Sequence, residues 1–323
     1  MTKKSNYLLS LFGALLLASP IQAQNLLPKP QQVTMGKGVF KTSDGVKVEN
    51  QVGADAENIY TKAWNAKVND AAKRVVKFTK LANASSPEAY KLHVAPDAIE
   101  ISAASSEGFL RAWQTMEQLT TKKGIACCDI VDAPAYKWRG LMLDVSRHYF
   151  PISFLKKQID VMSEYKFNRL HIHLTDAAGW RIEIKRYPRL NNFAAWRSGK
   201  LWKDWNANGN KYLEQGSEGA EGGYYTQNEL RDLVKYAAER GITIRCEDIA
   251  LPLEMPGHSE EVLTAYPELS CTHEPYKQAD FCPGNIGTYD FLENVLKEVM
   301  DIFPSHYIHV GGDEAAKKSW GSC

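Results

Sequence analysis

The chain has 323 residues, of which 44% are hydrophobic and 24% are charged, and its formal net charge at pH 7 is +1. This composition is that of an ordinary globular protein, and the balanced charge gives no sign of a surface that binds nucleic acid or anionic membranes. The six cysteines form no Cys-x-x-Cys pair, so a structural zinc site of that type is not expected either.

The first 23 residues have the pattern of a secretory signal peptide. Lys3 and Lys4 precede a short apolar run over residues 8–18, and Ala23 supplies a small residue at the expected cleavage point. The apolar run is shorter than a typical membrane span, although an N-terminal membrane anchor is the alternative. We therefore expect residues 1–23 to be removed on export and the mature chain to be periplasmic or extracellular.

Export would allow disulfide bonds to form. Cys271 and Cys282 bracket a polar stretch and are the pair that we expect to be bridged. Two reduced thiols are the alternative.

Residues 24–133 are predicted to form a small α/β domain. Alternating apolar and polar residues predict strands at 46–48 and 90–94, and apolar residues at helical spacing predict a helix over 109–119. The sequence Asp132-Ala133-Pro134 interrupts these patterns and marks the predicted boundary.

Residues 134–323 are predicted to form the first half of a TIM-type (β/α)8 barrel, so the whole chain belongs to the α/β class. Short apolar strands alternate with amphipathic helices, which is the pattern of a parallel sheet. A complete barrel needs eight strands and about 250 residues, so we expect about four strands and an incomplete catalytic domain. The predicted strands are 140–145, 169–174, 242–246 and 306–310, and the predicted helices are 153–165, 227–239 and 289–300.

The segment HVGGDE, residues 309–314, places two adjacent carboxylates after a short apolar strand. Two glycines allow the sharp turn that exposes Asp313 and Glu314 at the end of a barrel strand. Neighbours in sequence cannot flank a glycosidic bond as most glycosidase carboxylates do, at about 5 Å or more. We therefore expect Glu314 to act as a proton donor and Asp313 to bind substrate, while a solvated surface pair is the alternative.

Two histidines on one face of a predicted strand suggest a second site. His171 and His173 alternate along the strand, and Asp176 follows it directly. Inward-facing, hydrogen-bonded histidines are the expected arrangement, and a zinc hydrolase centre is the alternative.

Two further residues are candidates for the same rim. Arg139 begins an apolar run and offers a planar fork that can hold two neighbouring hydroxyl groups, with a structural ion pair as the alternative. Pro256 and Gly257 form a tight turn that directs His258, although this pattern alone is more often a surface turn.

Taken together, five segments in this order resemble glycoside hydrolase family 20, the β-N-acetylhexosaminidases. The resemblance covers nearly all of residues 24–323. The matching segments are WRGLMLDVSRHYFP (138–151), YKFNRLHIHLTDAAGWRIEIKRYPRL (165–190), GGYYTQNELRDLVKYAAERGITI (222–244), EMPGHSEEVLTAYPELSC (254–271) and HVGGDE (309–314).

The resemblance implies an exo-acting enzyme that removes terminal N-acetylglucosamine or N-acetylgalactosamine from glycans with retention, by substrate assistance. It implies that Glu314 is the acid and base, that Asp313 orients the acetamido group, and that Arg139 holds the 3- and 4-hydroxyls. Asp176 and His258 match supporting residues behind the acid. No metal or organic cofactor is expected.

Two departures from the family pattern leave a second interpretation open. The segment 245–253 is longer than its counterpart in the family, and the second half of the barrel is not present in this sequence. The chain could therefore be a catalytically inactive fragment or a carbohydrate-binding remnant of that family.

Overall fold

A computed structural model describes residues 26–43, 45–53, 56, 68–244, 256–303, 311–312 and 314–322. The predicted signal peptide, the fourth predicted barrel strand, the segment 245–253 and Asp313 lie outside these described residues.

One mixed sheet dominates the first part of the chain. Its strands are β1 (Gln32–Phe40), β2 (Lys47–Asn50), β3 (Val75–Lys80), β4 (Tyr90–Val94), β5 (Ala98–Ala103), β6 (Thr120–Thr121) and β7 (Gly124–Asp132). Their order in the sheet is β1-β7-β4-β5-β3-β2, with β6 beside β7. Strands β2, β3 and β5 are mutually parallel, whereas β4 and β7 run antiparallel to their neighbours.

Helix α1 (Ser106–Leu119) covers one face of this sheet. The Ser105 side chain caps its start by accepting a hydrogen bond from the Glu107 amide at 3.1 Å. Phe109, Trp113 and Met116 are buried in the same hydrophobic core as the strands. The predicted helix and its apolar face are therefore confirmed.

The second part of the chain contains the start of a parallel sheet. Strand β8 (Gly140–Asp144) pairs in parallel with β9 (Arg169–His173), and Arg169 forms a parallel bridge with Thr243. These contacts confirm parallel pairing of strands that alternate with helices, within the residues that the structure describes. The remaining strands are β10 (Thr175–Asp176), β11 (Gly179–Trp180), β12 (Trp196–Ser198) and β13 (Ala220–Gly222), and the helices are α2 (Ile152–Glu164), α3 (Arg189–Asn192), α4 (Trp202–Ala207), α5 (Gln227–Ala238), α6 (Glu260–Ala265) and α7 (Ile286–Ile302).

Strand β9 separates an apolar face from a polar face. Leu170 and Ile172 are fully buried in the core that contains the apolar sides of α2, α5 and α7. His171 and His173 are half-buried on the opposite face. Because side chains alternate along a strand, burial of Leu170 and Ile172 in the core directs His171 and His173 to the opposite face.

A buried ion-pair network joins the two parts of the chain. Glu88 accepts hydrogen bonds from Arg111 of α1 (Nε–Oε2, 2.6 Å) and from Arg139 just before β8 (Nη1–Oε1, 3.2 Å). Burial alone would raise the pKa of Glu88, but the hydrogen bonds and charges of the two arginines outweigh it and lower the pKa.

The sequence led us to expect a disulfide bond between Cys271 and Cys282. Cys271 and Cys282, both in the described part of the chain, are not joined by a disulfide bond in this structure. Cys282 is buried, and its amide donates a hydrogen bond to the Leu269 carbonyl oxygen.

Within the described ranges, no helix is long and apolar enough to cross a bilayer.

Candidate active site

A buried carboxylate, Asp176, organises the polar rim beyond β9. Its side chain is 2% exposed, and its Oδ2 atom lies 3.0 Å from His173 Nε2 and 2.6 Å from Arg147 Nη2. Its Oδ1 atom accepts a hydrogen bond from the Ala177 amide at 2.7 Å. A charge this deeply buried requires such compensation, so these contacts fix the position of the carboxylate.

His258 links Asp176 to Glu314. Its Nδ1 atom lies 3.6 Å from Asp176 Oδ1, and its Nε2 atom lies 3.2 Å from Glu314 Oε2. Three predicted site residues, which are distant in sequence, therefore lie together. The imidazole stands between a buried carboxylate and one that is 77% exposed, which is a suitable arrangement for supporting an acid that faces substrate.

The backbone is strained at both ends of this contact. His258 and Glu314 have φ values of +52° and +50°, a region that residues other than glycine rarely adopt. Gly311 and Gly312, at +65° and +114°, make the turn that leads to the acid. Strain of this kind is often found at functional sites, where the surrounding structure stabilises it.

Arg139 does not join this cluster. It precedes β8, whereas the cluster lies beyond the carboxyl ends of β8 and β9, about 16 Å away along a five-residue strand. Its guanidinium binds Glu88 and also donates to the Lys166 carbonyl oxygen at 2.8 Å. The structural ion pair is thus the arrangement observed, and the expected grip on substrate hydroxyls needs another residue.

Arg147 was not predicted from the sequence as a site residue, because a structural ion pair was the favoured interpretation of its position. It follows the carboxyl end of β8, where it contacts Asp144 Oδ2 at 3.0 Å and Asp176 Oδ2 at 2.6 Å. Its side chain is 42% exposed, so it remains accessible from solvent while it contacts Asp176. In the sequence, Arg147 follows the predicted strand whereas Arg139 precedes it. This difference in position is the signal that favours Arg147 as a residue of the site.

A fully buried arginine, Arg181, supports the backbone around Arg147. Burial, followed by the charge of Arg197, lowers the pKa of Arg181 to about 10, so the side chain remains charged at neutral pH. A Cβ atom on Gly179 would clash with the guanidinium of Arg181, which explains the glycine at the start of β11. The guanidinium donates hydrogen bonds to the carbonyl oxygens of Val145, Ser146, Ala178, Ala195 and Gly223.

Two glutamates of α6 add acidic character near Asp176. Burial, and then the negative charge of Asp176, raises the pKa of Glu260. Burial raises the pKa of Glu261 well above its ordinary value, and the charges of Asp176 and Glu260 act in the same direction. Both glutamates therefore carry a proton more readily than an exposed glutamate does, which limits the negative charge that accumulates around Asp176.

The zinc alternative gains no support from the histidine strand. His173 contacts Asp176, as described above, and the described residues contain no group of three or more His, Cys, Asp or Glu side chains arranged to hold a metal ion.

Comparison with protein families identifies the chain. The sequence model of the glycosyl hydrolase family 20 catalytic domain matches residues 136–323, and that of domain 2 of the same family matches residues 23–133. The chain belongs to glycosyl hydrolase family 20. The resemblance inferred from the five segments is thereby confirmed.

Family 20 relatives are similar along most of the chain. A beta-hexosaminidase of Akkermansia muciniphila is 37% identical over 250 residues, covering 73% of this chain and 47% of the relative. A beta-hexosaminidase of Vibrio furnissii is 34% identical over 319 residues, covering 92% of this chain and 49% of the relative. The chain thus spans about half the length of the curated relatives that it matches.

Solved family 20 structures share this fold. The beta-N-acetylhexosaminidase of Bacteroides fragilis is 35% identical with a TM-score of 0.73, covering 90% of this chain and 57% of that chain. An exo beta-N-acetylglucosaminidase of Vibrio harveyi, solved in complex with N-acetylglucosamine, is 31% identical with a TM-score of 0.73. The match covers 93% of this chain and 48% of that chain.

Proposed function

We propose that this chain carries the acid-base machinery of an exo-acting β-N-acetylhexosaminidase that acts on glycans with terminal N-acetylglucosamine or N-acetylgalactosamine. The observation that carries the proposal is the contact series Arg147–Asp176–His258–Glu314, which ends on an exposed carboxylate. A buried carboxylate behind an imidazole, and an exposed carboxylate in front of it, suit proton transfer to a bound substrate.

The proposed reaction is substrate-assisted hydrolysis with retention. The acetamido oxygen of the substrate bonds to the anomeric carbon as the glycosidic bond breaks, and Glu314 gives its proton to the leaving oxygen. Water then attacks the anomeric carbon, Glu314 accepts a proton from it, and the acetamido oxygen leaves. In this scheme Asp313, which lies outside the described residues, orients the acetamido group.

The other members of the contact series have supporting parts in the proposal. His258 and Asp176 fix the orientation of Glu314, and no metal or organic cofactor is required. Arg147 replaces Arg139 as the residue that holds substrate hydroxyls, because it alone of the two lies beside Asp176. The N-terminal pattern supports export, so we place the activity outside the cytoplasm.

Hydrolysis of 4-nitrophenyl N-acetyl-β-D-glucosaminide by the purified chain tests the proposal. We expect Glu314→Gln to lower kcat by at least about 100-fold, the usual contribution of a positioned proton donor. The exposed Glu268→Gln variant serves as the control. Full activity of Glu314→Gln would exclude Glu314 as the acid.

Sugar binding without turnover is a second candidate, favoured by the exposure of Glu314. A carboxylate that is 77% exposed is not enclosed in a site that excludes water, as the acid of a catalytic site usually is. NMR titration with N-acetylglucosamine distinguishes the two. Binding together with no release of 4-nitrophenol would support the second candidate.

A further inference from the structure

Asp280 is a buried carboxylate that contacts the backbone next to Glu314. The residue is 3% exposed. Its Oδ1 atom accepts a hydrogen bond from the Ala316 amide at 3.4 Å, and its Oδ2 atom accepts one from the Lys317 amide at 3.2 Å. One carboxylate thus holds two amides of the segment that begins with the proposed proton donor.

The segment that Asp280 holds is strained. Glu314 and Lys317 have φ values of +50° and +57°, so two non-glycine residues adopt the left-handed region close together. Such a backbone persists only where its surroundings stabilise it. Charge-assisted hydrogen bonds are stronger than neutral ones, so the buried carboxylate of Asp280 is well suited to this purpose.

The neighbours of Asp280 hold the turn that carries His258. The Ala279 carbonyl oxygen accepts a hydrogen bond from the Ser259 amide at 3.0 Å, and the Phe281 amide donates one to the Pro256 carbonyl oxygen at 2.8 Å. The Phe281 carbonyl oxygen also accepts from Trp320 Nε1 at 3.0 Å. We call residues 279–281 the bridging segment, because they contact both chain segments that meet at the His258–Glu314 pair.

We propose that Asp280 is a positioning residue, which sets the place of the Glu314 carboxylate relative to His258 through the backbone of residues 316 and 317. The inference rests on the proposed function and names a further residue on which it depends. Because the Glu314 side chain is 77% exposed, its position depends strongly on its own backbone. A small displacement of a reacting group can cost about 100-fold in rate.

Kinetics of the full chain give the first test. We expect Asp280→Ala to lower kcat by about 10- to 100-fold with little change in KM, because the acid is displaced and the sugar contacts are not. Asp280→Asn should have a smaller effect, since its amide oxygen can still accept one of the two hydrogen bonds. It also provides a near-isosteric variant if Asp280→Ala does not fold.

Glu298 provides a matched control. Its carboxylate also accepts two consecutive backbone amides, those of Lys185 and Arg186 at 2.8 and 3.0 Å, but these lie outside the candidate site. Glu298→Gln should retain kcat. Equal losses of kcat in the Asp280 and Glu298 variants would show a general effect on stability and overturn the proposal.

A double-mutant cycle tests whether Asp280 acts through Glu314. Adding Asp280→Ala to Glu314→Gln should lower kcat little further, because the group that it positions has already been removed. Multiplicative losses would overturn the proposal. The charge of Asp280 also helps to raise the pKa of Glu260, so a purely electrostatic role would instead shift the pH profile of kcat, which positioning leaves in place.

Amide hydrogen exchange gives a test that needs no turnover. Exchange at Ala316 and Lys317 should accelerate in Asp280→Ala and remain unchanged in Glu298→Gln. If the wild-type chain hydrolyses no substrate, the proposed function fails while this measurement still decides whether Asp280 holds the segment. Unchanged exchange in the Asp280 variants would overturn the positioning role.

Discussion

Two arginines at opposite ends of β8 show how position along a strand decides the use of a residue. Both have the same guanidinium group, and both contact carboxylates. Arg139 precedes the strand and binds Glu88, which is buried, whereas Arg147 follows the strand and binds Asp176 beside open space. Because the carboxyl ends of the strands form the site in a parallel barrel, we expect Arg147, and not Arg139, to contact substrate.

This difference predicts opposite phenotypes for two similar substitutions. Arg147→Met should reduce kcat/KM for the chromogenic substrate by about 10- to 100-fold, through loss of charge-assisted hydrogen bonds to the sugar. Arg139→Met should reduce stability and leave kcat/KM near the wild-type value. Steady-state kinetics and thermal melting of both variants check the pair, and the reverse pattern would restore Arg139 as the substrate residue.

At the scale of elements, the short helix α6 buries the carboxyl group of Glu261, and burial disfavours its charged form. Glu261 is 1% exposed, and among the described residues its Oε2 atom has no hydrogen-bond partner. Burial raises the pKa of Glu261 in the folded state, whereas in the unfolded state the pKa is near 4.5. Above pH 4.5 the folded state therefore retains a proton that the unfolded state has released. The folded state then binds more protons, so this group lowers stability as the pH rises.

Glu261→Gln should therefore stabilise the protein at neutral pH, with a gain that disappears as the pH falls below 4.5. Urea denaturation across this pH range measures the effect. Glu268→Gln, at an exposed position in the following 3-10 turn, should change stability little at any pH. Loss of stability in Glu261→Gln at neutral pH would mean that Glu261 is ionised and paired.

At the scale of the whole molecule, the network around Glu88 joins helix α1 to the residue that precedes β8. Arg111 comes from α1 and Arg139 from the residue before β8, and both bind the same carboxylate. Removing one partner of a buried network leaves its counter-charges uncompensated. The position of β8, and of the site at its far end, depends in part on this contact.

Glu88→Gln should lower the free energy of unfolding by about 3 kcal/mol at neutral pH. The folded state lowers the pKa of Glu88, so its stabilising contribution is present above 4.5 and is lost as the pH falls through the folded-state value. The difference between wild type and variant should therefore shrink in acid. Glu49→Gln, which breaks an exposed pair with Lys47, should cost about 0.5 kcal/mol or less.

The sequence by itself determined the local elements and the family. Apolar spacing predicted α1 and the strands β4, β8 and β9 because periodic burial is a local property of the chain. The motifs likewise predicted Asp176, His258 and Glu314 as site candidates, because each is a chemically suitable residue beside a strand end or turn.

Only the tertiary structure decided which of these residues meet. It brought His258 to within 3.2 Å of Glu314, directed Arg139 to Glu88, and placed Arg147 and Asp280 at the site. The physical reason is that periodicity records which side of an element is buried. Contacts between residues distant in sequence depend on how those elements pack, and no local pattern encodes them.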